Sequence, residues 1–146
     1  MKDFEVANDG RITKVNNWNS EKKVFCINGF SVNLFFYNNE HGQSFIDLGL
    51  LYATEEARDR AKFKMEIETK LKNIAERLNN GKKIDWEDIS QNKFNIYYNY
   101  DDNIIDFYFS SYCGFQGTIC CLDKDFLEVA KKEIGEENLI KYFKRE

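Results

Sequence analysis

The sequence predicts an α+β fold with antiparallel sheets, one long central helix and short C-terminal helices. Three observations carry this. Residues 4–52 set short apolar stretches, alternating where they are clearest, between turn signals. Residues 54–78 switch to helical spacing. Residues 93–143 return to alternation before ending in two short, apolar-faced helical segments. Strands and helices come in blocks and not as a βαβ repeat, which selects α+β over a doubly wound sheet.

The N-terminal β-rich region spans residues 1–53. Residues 4–7 run into Asn8-Asp9-Gly10, a hairpin signal, and residues 11–15 return with Ile12 and Val15 apolar. Residues 23–28 form a third expected strand, ended by Gly29. Residues 30–37 form a fourth, with Val32, Leu34 and Phe36 on one face and Phe35 and Tyr37 on the other. Residues 38–42 read as a loop by composition, and residues 44–52 as a fifth strand interrupted by Gly49.

The central helix occupies residues 54–81. Thr54 is the expected N-cap, and Glu55 and Glu56 sit where the helix dipole favours acids. The stop is Asn79-Asn80-Gly81. Ala57, Ala61 and Met65 make one apolar row. Ile67, Leu71, Ile74 and Leu78 make a second at 4-3-4 spacing, a short coiled-coil-like seam. The seam packs on the chain's own sheet or joins two copies as a dimer. A helix of some 25 residues, about 37 Å long, exceeds what a small sheet needs.

Residues 82–146 read as a β-meander plus C-terminal helices. Residues 81–92 are a connector that holds Trp86 among acids, and burial is the expectation for a Trp. Residues 93–100 and 104–110 form a hairpin around Asp101-Asp102-Asn103, and residues 117–122 add a strand. Asp123 is the expected cap of a helix with Phe126, Leu127, Ala130 and Ile134 on its apolar side. Gly135 ends it; Glu136 and Glu137 open a last short helix anchored by Leu139, Ile140 and Phe143. The three blocks make one compact domain or two small subdomains.

The 146 residues are enough to bury a core without a metal or disulfide. Aromatics reach 16%, proline is absent, and Lys outnumbers Arg by 16 to 5. A low-GC genome explains that bias, and an exposed aromatic face is the competing reading. No apolar run approaches the ~20 residues of a membrane span, and no signal peptide opens the chain. Net charge is −1 over residues 1–53, +3 over 54–83 and −6 over 84–146, which sums to the −4 of the whole chain. Asp85, Glu87, Asp88, Asp101, Asp102 and Asp106 form an acidic cluster opposed only by Lys93. Such a chain does not suit a general nucleic-acid binder, but it suits a protein that occupies a basic groove on a partner.

Catalytic signatures are sparse. His41, the single histidine, lies in an Asn/Gly-rich loop, and nothing near it forms a nucleophile elbow. Cys26, Cys113, Cys120 and Cys121 contain no CxxC, and adjacent Cys120 and Cys121 project to opposite faces of a strand, so buried reduced thiols are expected and not a zinc site. The loop at Cys113-Gly114-Phe115-Gln116-Gly117 lacks the Lys-Ser/Thr of a phosphate loop, and reads as a strand-to-strand turn. Asp101, Asp102 and Asp106 lack the glycine and terminal glutamate of a calcium loop. No cofactor or metal is implied, and an enzyme is disfavoured.

Leu48-Gly49-Leu50-Leu51-Tyr52-Ala53-Thr54-Glu55-Glu56-Ala57, followed by Lys70-Leu71-Lys72-Asn73-Ile74-Ala75, resembles a pattern of small accessory proteins from Firmicutes phages and prophages. Gly117-Thr118-Ile119 and the closing Gly135-Glu136-Glu137-Asn138-Leu139-Ile140-Lys141-Tyr142-Phe143 are similar to the ends of such proteins. The likeness covers residues 48–146; Cys120-Cys121 stands where aromatics are usual, and the N-terminal half has no match. The resemblance implies a cytoplasmic protein of the bacterial host cell that inhibits a host defence component by binding it, in the manner of an anti-CRISPR protein. On that reading the contact residues are Asp85, Trp86, Glu87, Asp88, Tyr98, Tyr100, Asp101, Asp102 and Asp106, with the acids mimicking phosphates.

Two other functions compete. A nucleotide-sequestering protein would stack a base on Tyr97, Tyr98 or Tyr100 and hold its phosphate with Lys or Arg of the central helix. A nucleic-acid-binding regulator would use Arg58, Arg60, Lys62, Lys64, Lys70 and Lys72 of the central helix, although acids interleave them.

Overall fold

The computed structural model describes residues 2–110 and 119–144. The chain divides into two compact units, Met1–Lys64 and Met65–Glu146. As the sequence predicts, the fold is α+β, with antiparallel sheets, one long helix and short C-terminal helices.

In the first unit, β1 (Phe4–Val6) pairs with β2 (Ile12–Val15) across the expected turn, with a bulge between Glu5 and Val6. Gly10 holds that turn at φ +86°, a left-handed conformation open to glycine. A Cβ there would lie 2.3 Å from the Ala57 Cβ, so this glycine also permits close approach to the long helix. A three-stranded sheet follows, with β3 (Lys23–Cys26) between β4 (Ser31–Asn33) and β5 (Leu51–Tyr52). Ile12, Val24, Cys26, Leu34, Ile46 and Leu51 form the core, with Trp18, Tyr37 and Phe45 packed against it.

Two expected strands are corrected here. The fourth ends at Asn33, and Leu34–Tyr37 is a 3-10 turn that buries only Leu34. The fifth begins as helix α1 (Gly42–Asp47), and only Leu51–Tyr52 is strand. Alternation over so few residues does not separate strand from helix. Burial of Ile46 and the Tyr37–Phe45 ring contact at 5.0 Å go with the helical turn.

Helix α2 (Glu55–Asn79) starts and stops where predicted. Thr54 Oγ1 accepts the Ala57 amide at 3.2 Å, the expected cap. At the far end Asn80 and Gly81 take positive φ.

In the second unit, β6 (Lys93–Asn99) lies between β7 (Ile104–Ser110) and β8 (Cys120–Cys121), all antiparallel. One sheet face carries Phe94, Ile96 and Tyr98 opposite Phe109, Phe107 and Ile105; the other carries Lys93, Asn95, Tyr97 and Asn99, with Tyr108, Asp106 and Ile104 opposite the last three. Helices α3 (Phe126–Ile134) and α4 (Glu136–Phe143) complete the unit, broken at Gly135 with φ +95°. Of the expected strand 117–122, residues 117 and 118 lie outside the described residues, as does the loop at residues 113–117.

The expected Asp123 cap is also corrected. Its carboxylate accepts the Asp125 amide at 2.8 Å and shapes the turn before α3, which starts at Phe126 with no side-chain cap. The α2 seam is inward. Ile67, Leu71 and Ile74 are buried within this chain, and Leu78 is half-buried. That corrects the intermolecular seam: its first three residues have no surface left for a second copy. No described helix is long and apolar enough to cross a membrane.

Candidate functional site

The site-forming element of the second unit is the β6–β7 hairpin. Its tip is built by Asn99, whose Oδ1 accepts the Asp101 and Asp102 amides at 3.0 and 3.3 Å and whose Nδ2 donates to Asp102 Oδ2 at 3.0 Å. Asn103 takes φ +57°, and its Oδ1 accepts the Tyr98 hydroxyl at 3.1 Å. The tip acids therefore sit on a fixed turn.

Among the described residues β7 is an edge strand, and it keeps large apolar side chains on its surface. Ile104, Phe107 and Tyr108 are each about two-fifths exposed, and Phe109 is 62% exposed. Only Ile105 of this stretch is buried. The rings are ordered across the pair: Phe94 lies 6.0 Å from both Phe107 and Phe109, and Tyr97 lies 5.6 Å from Tyr108. Asp106 Oδ1 accepts the Phe107 amide at 2.8 Å.

The opposite end of the hairpin meets the connector. Lys93 is 0% exposed, yet its ammonium is satisfied: it donates to the Asp88 and Gln91 carbonyls, each at 3.0 Å, and lies 5.5 Å from the centre of the Trp86 ring. Asp85 and Asp88 serve local turns through the Glu87 and Ser90 amides. Hydrogen bonds from the Ser90 hydroxyl and amide hold the Asp88 carboxyl below its usual pKa.

The predicted contact residues thus divide. Asp85, Glu87 and Asp88 are exposed at one end of the hairpin, and Tyr100, Asp101 and Asp102 at the other. A seven-residue strand, about 20 Å long, separates the two groups, so the acids do not form the single cluster that their sequence proximity suggests. Asp106 lies between them, half-buried.

Trp86 is 40% exposed, against the expectation of burial, because Lys93 and not the core receives its ring. Tyr98 is 8% exposed, tied to Asn103 and covered by Lys144 at 5.8 Å, so it is structural and not a contact residue. Neither Phe107 nor Phe109 was singled out by sequence: the expected meander would put their strand in the middle, and the observed order β7-β6-β8, in which β8 pairs with β6 and not with β7, corrects it and leaves β7 at an edge among the described residues.

Other expected chemistry has plain positions. His41 is exposed beside Glu40. Cys26, Cys120 and Cys121 are buried and unbridged, and burial pushes the Cys120 and Cys121 thiols up. Among the described residues no three Asp, Glu, His or Cys side chains gather as a metal site. Arg58, expected on a basic helix face, is buried. It pairs with Asp59 at 2.7 Å and Glu55 at 3.4 Å, which removes it from any nucleic-acid surface.

Compared with known proteins, the chain matches no family model, no curated protein and no solved structure.

Proposed function

We propose that this protein acts by binding, and that it docks the β7 edge onto a protein partner with a basic surface. The observation that carries this reading is the strip that exposed Phe107 and Phe109 form on one face of an edge strand, with Tyr108 exposed on the other face. Specific interfaces place apolar and aromatic residues at the centre and charge at the rim. Here Asp101 and Asp102 lie at one end of the strip's hairpin, and Asp85, Glu87 and Asp88 at the other. The net −6 of residues 84–146 adds long-range attraction toward a positive partner.

The partner class we propose is a host defence protein whose basic groove ordinarily receives nucleic acid. The phage-like segments of the sequence motivate that choice, and the acidic rim fits it. Inhibition then requires only occupancy of the groove, with no catalytic step. The acids act as a flanking charge pattern and not as a continuous phosphate mimic, because the hairpin holds them apart.

The test is capture of the partner from a bacterial lysate with intact defence systems, followed by affinity measurements on the purified pair. Wild-type affinity should fall as salt rises. The double substitution Phe107→Ser with Phe109→Ser should weaken binding at least about tenfold, as for a central hot spot. A partner bound equally by that variant removes the proposed surface.

A further inference from the structure

We propose that the second unit holds a small-ligand site for an organic anion that carries one ring-sized apolar group. It is distinct from the β7 edge and does not depend on that reading. A cavity of about 210 Å³ opens among Leu71 on α2, Ile96 on β6, Phe126 on α3 and Phe143 on α4. An apolar cavity of about 150 Å³ suffices to hold benzene, so this one has room for a single aromatic ring.

Its polar edge is defined. The Tyr142 hydroxyl donates to Glu68 Oε1 at 2.9 Å. Burial and that carboxylate hold the Tyr142 hydroxyl well above its usual pKa, so it stays a donor to Glu68. The other Glu68 oxygen remains an acceptor for an N–H or O–H on the ring.

The anion preference comes from the next concavity. A groove of about 530 Å³ adjoins the cavity and shares Lys72 and Ile119 with it. Lys72, Lys82 and Lys83 line it against one acid, Glu76. None of these three lysines has an ion-pair partner among the described residues. A ligand with its ring in the cavity would present a carboxylate or phosphate to Lys72 at the shared wall. Aromatic carboxylates and aryl phosphates share this chemistry.

The probes are 4-hydroxyphenylacetate, phenyl phosphate and neutral phenol, titrated into the full chain and followed by nuclear magnetic resonance. Saturable shifts of Leu71 and Ile96 methyl signals by at least one anionic probe, with weaker binding of phenol, are expected; which anion binds tighter identifies the source. Affinity should lie between micromolar and millimolar for so few heavy atoms. Lys72→Glu should weaken binding about tenfold, the scale of a lost charged contact, while exposed Lys70→Glu on the same helix leaves it unchanged. Absence of shifts with both anions, or equal binding by Lys72→Glu and Lys70→Glu, overturns the site.

Discussion

Lys93 shows how one residue can carry a meaning that its neighbours in sequence hide. Among acids it reads as a stray counter-charge; in the fold it is fully buried and ties the connector to β6 through the Asp88 and Gln91 carbonyls. Lys93→Met keeps the stem and removes both donors, leaving two carbonyls without partners. The loss should be about 1–3 kcal/mol, read by urea unfolding, with a red shift in Trp86 emission as its ring loses the ammonium. Tyr37 gives a pH signature. Burial, then the neighbouring Cys26, push its hydroxyl up to about 12 from the usual 10.0. The neutral form is the one the fold favours, so its contribution is complete below pH 10 and is lost as pH rises toward 12. Tyr37→Phe should flatten the stability-pH curve in that window. Gly10→Ala meets both a positive φ and the Ala57 methyl, and should cost about 2–4 kcal/mol in a thermal melt.

At the scale of elements, length decides what a sequence can announce. Helix α2 was legible end to end because 25 residues of helical spacing lie between a Thr54 cap and an Asn-Asn-Gly stop. The β6–β7 hairpin was legible for the same reason, with two seven-residue strands around Asp101-Asp102-Asn103. Helix α1 was not: six residues with no cap bond owe their helicity to Ile46 and Phe45 entering the core, which only tertiary packing supplies. Face assignments fared likewise. The spacing of Ile67, Leu71 and Ile74 correctly marks an apolar stripe, yet spacing cannot say whether the chain or a second copy covers it. Their burial makes Leu71→Glu a folding lesion: it should abolish the cooperative thermal transition and not convert a folded dimer into a folded monomer in light scattering.

For the whole molecule, the composition set limits that the fold then resolved. The aromatic excess is partly interior, as at Phe126, and partly on the β7 surface, as at Phe109. The acids summed by sequence to one cluster are separated by a strand's length, because a count of charge carries no coordinates. The place of the 210 Å³ cavity was not legible in the sequence, since it arises from how side chains of four elements, Leu71, Ile96, Phe126 and Phe143 among them, leave one space unfilled. The proposed function therefore rests on a surface more than on a motif. Its most direct test is the affinity of the captured, purified partner for wild type and for the Phe107→Ser, Phe109→Ser variant, at matched salt and with folding of both confirmed. Both side chains are substantially exposed, so the variant should fold as wild type and bind at least about tenfold more weakly. Equal affinity of two well-folded proteins would contradict the β7 edge as the binding surface.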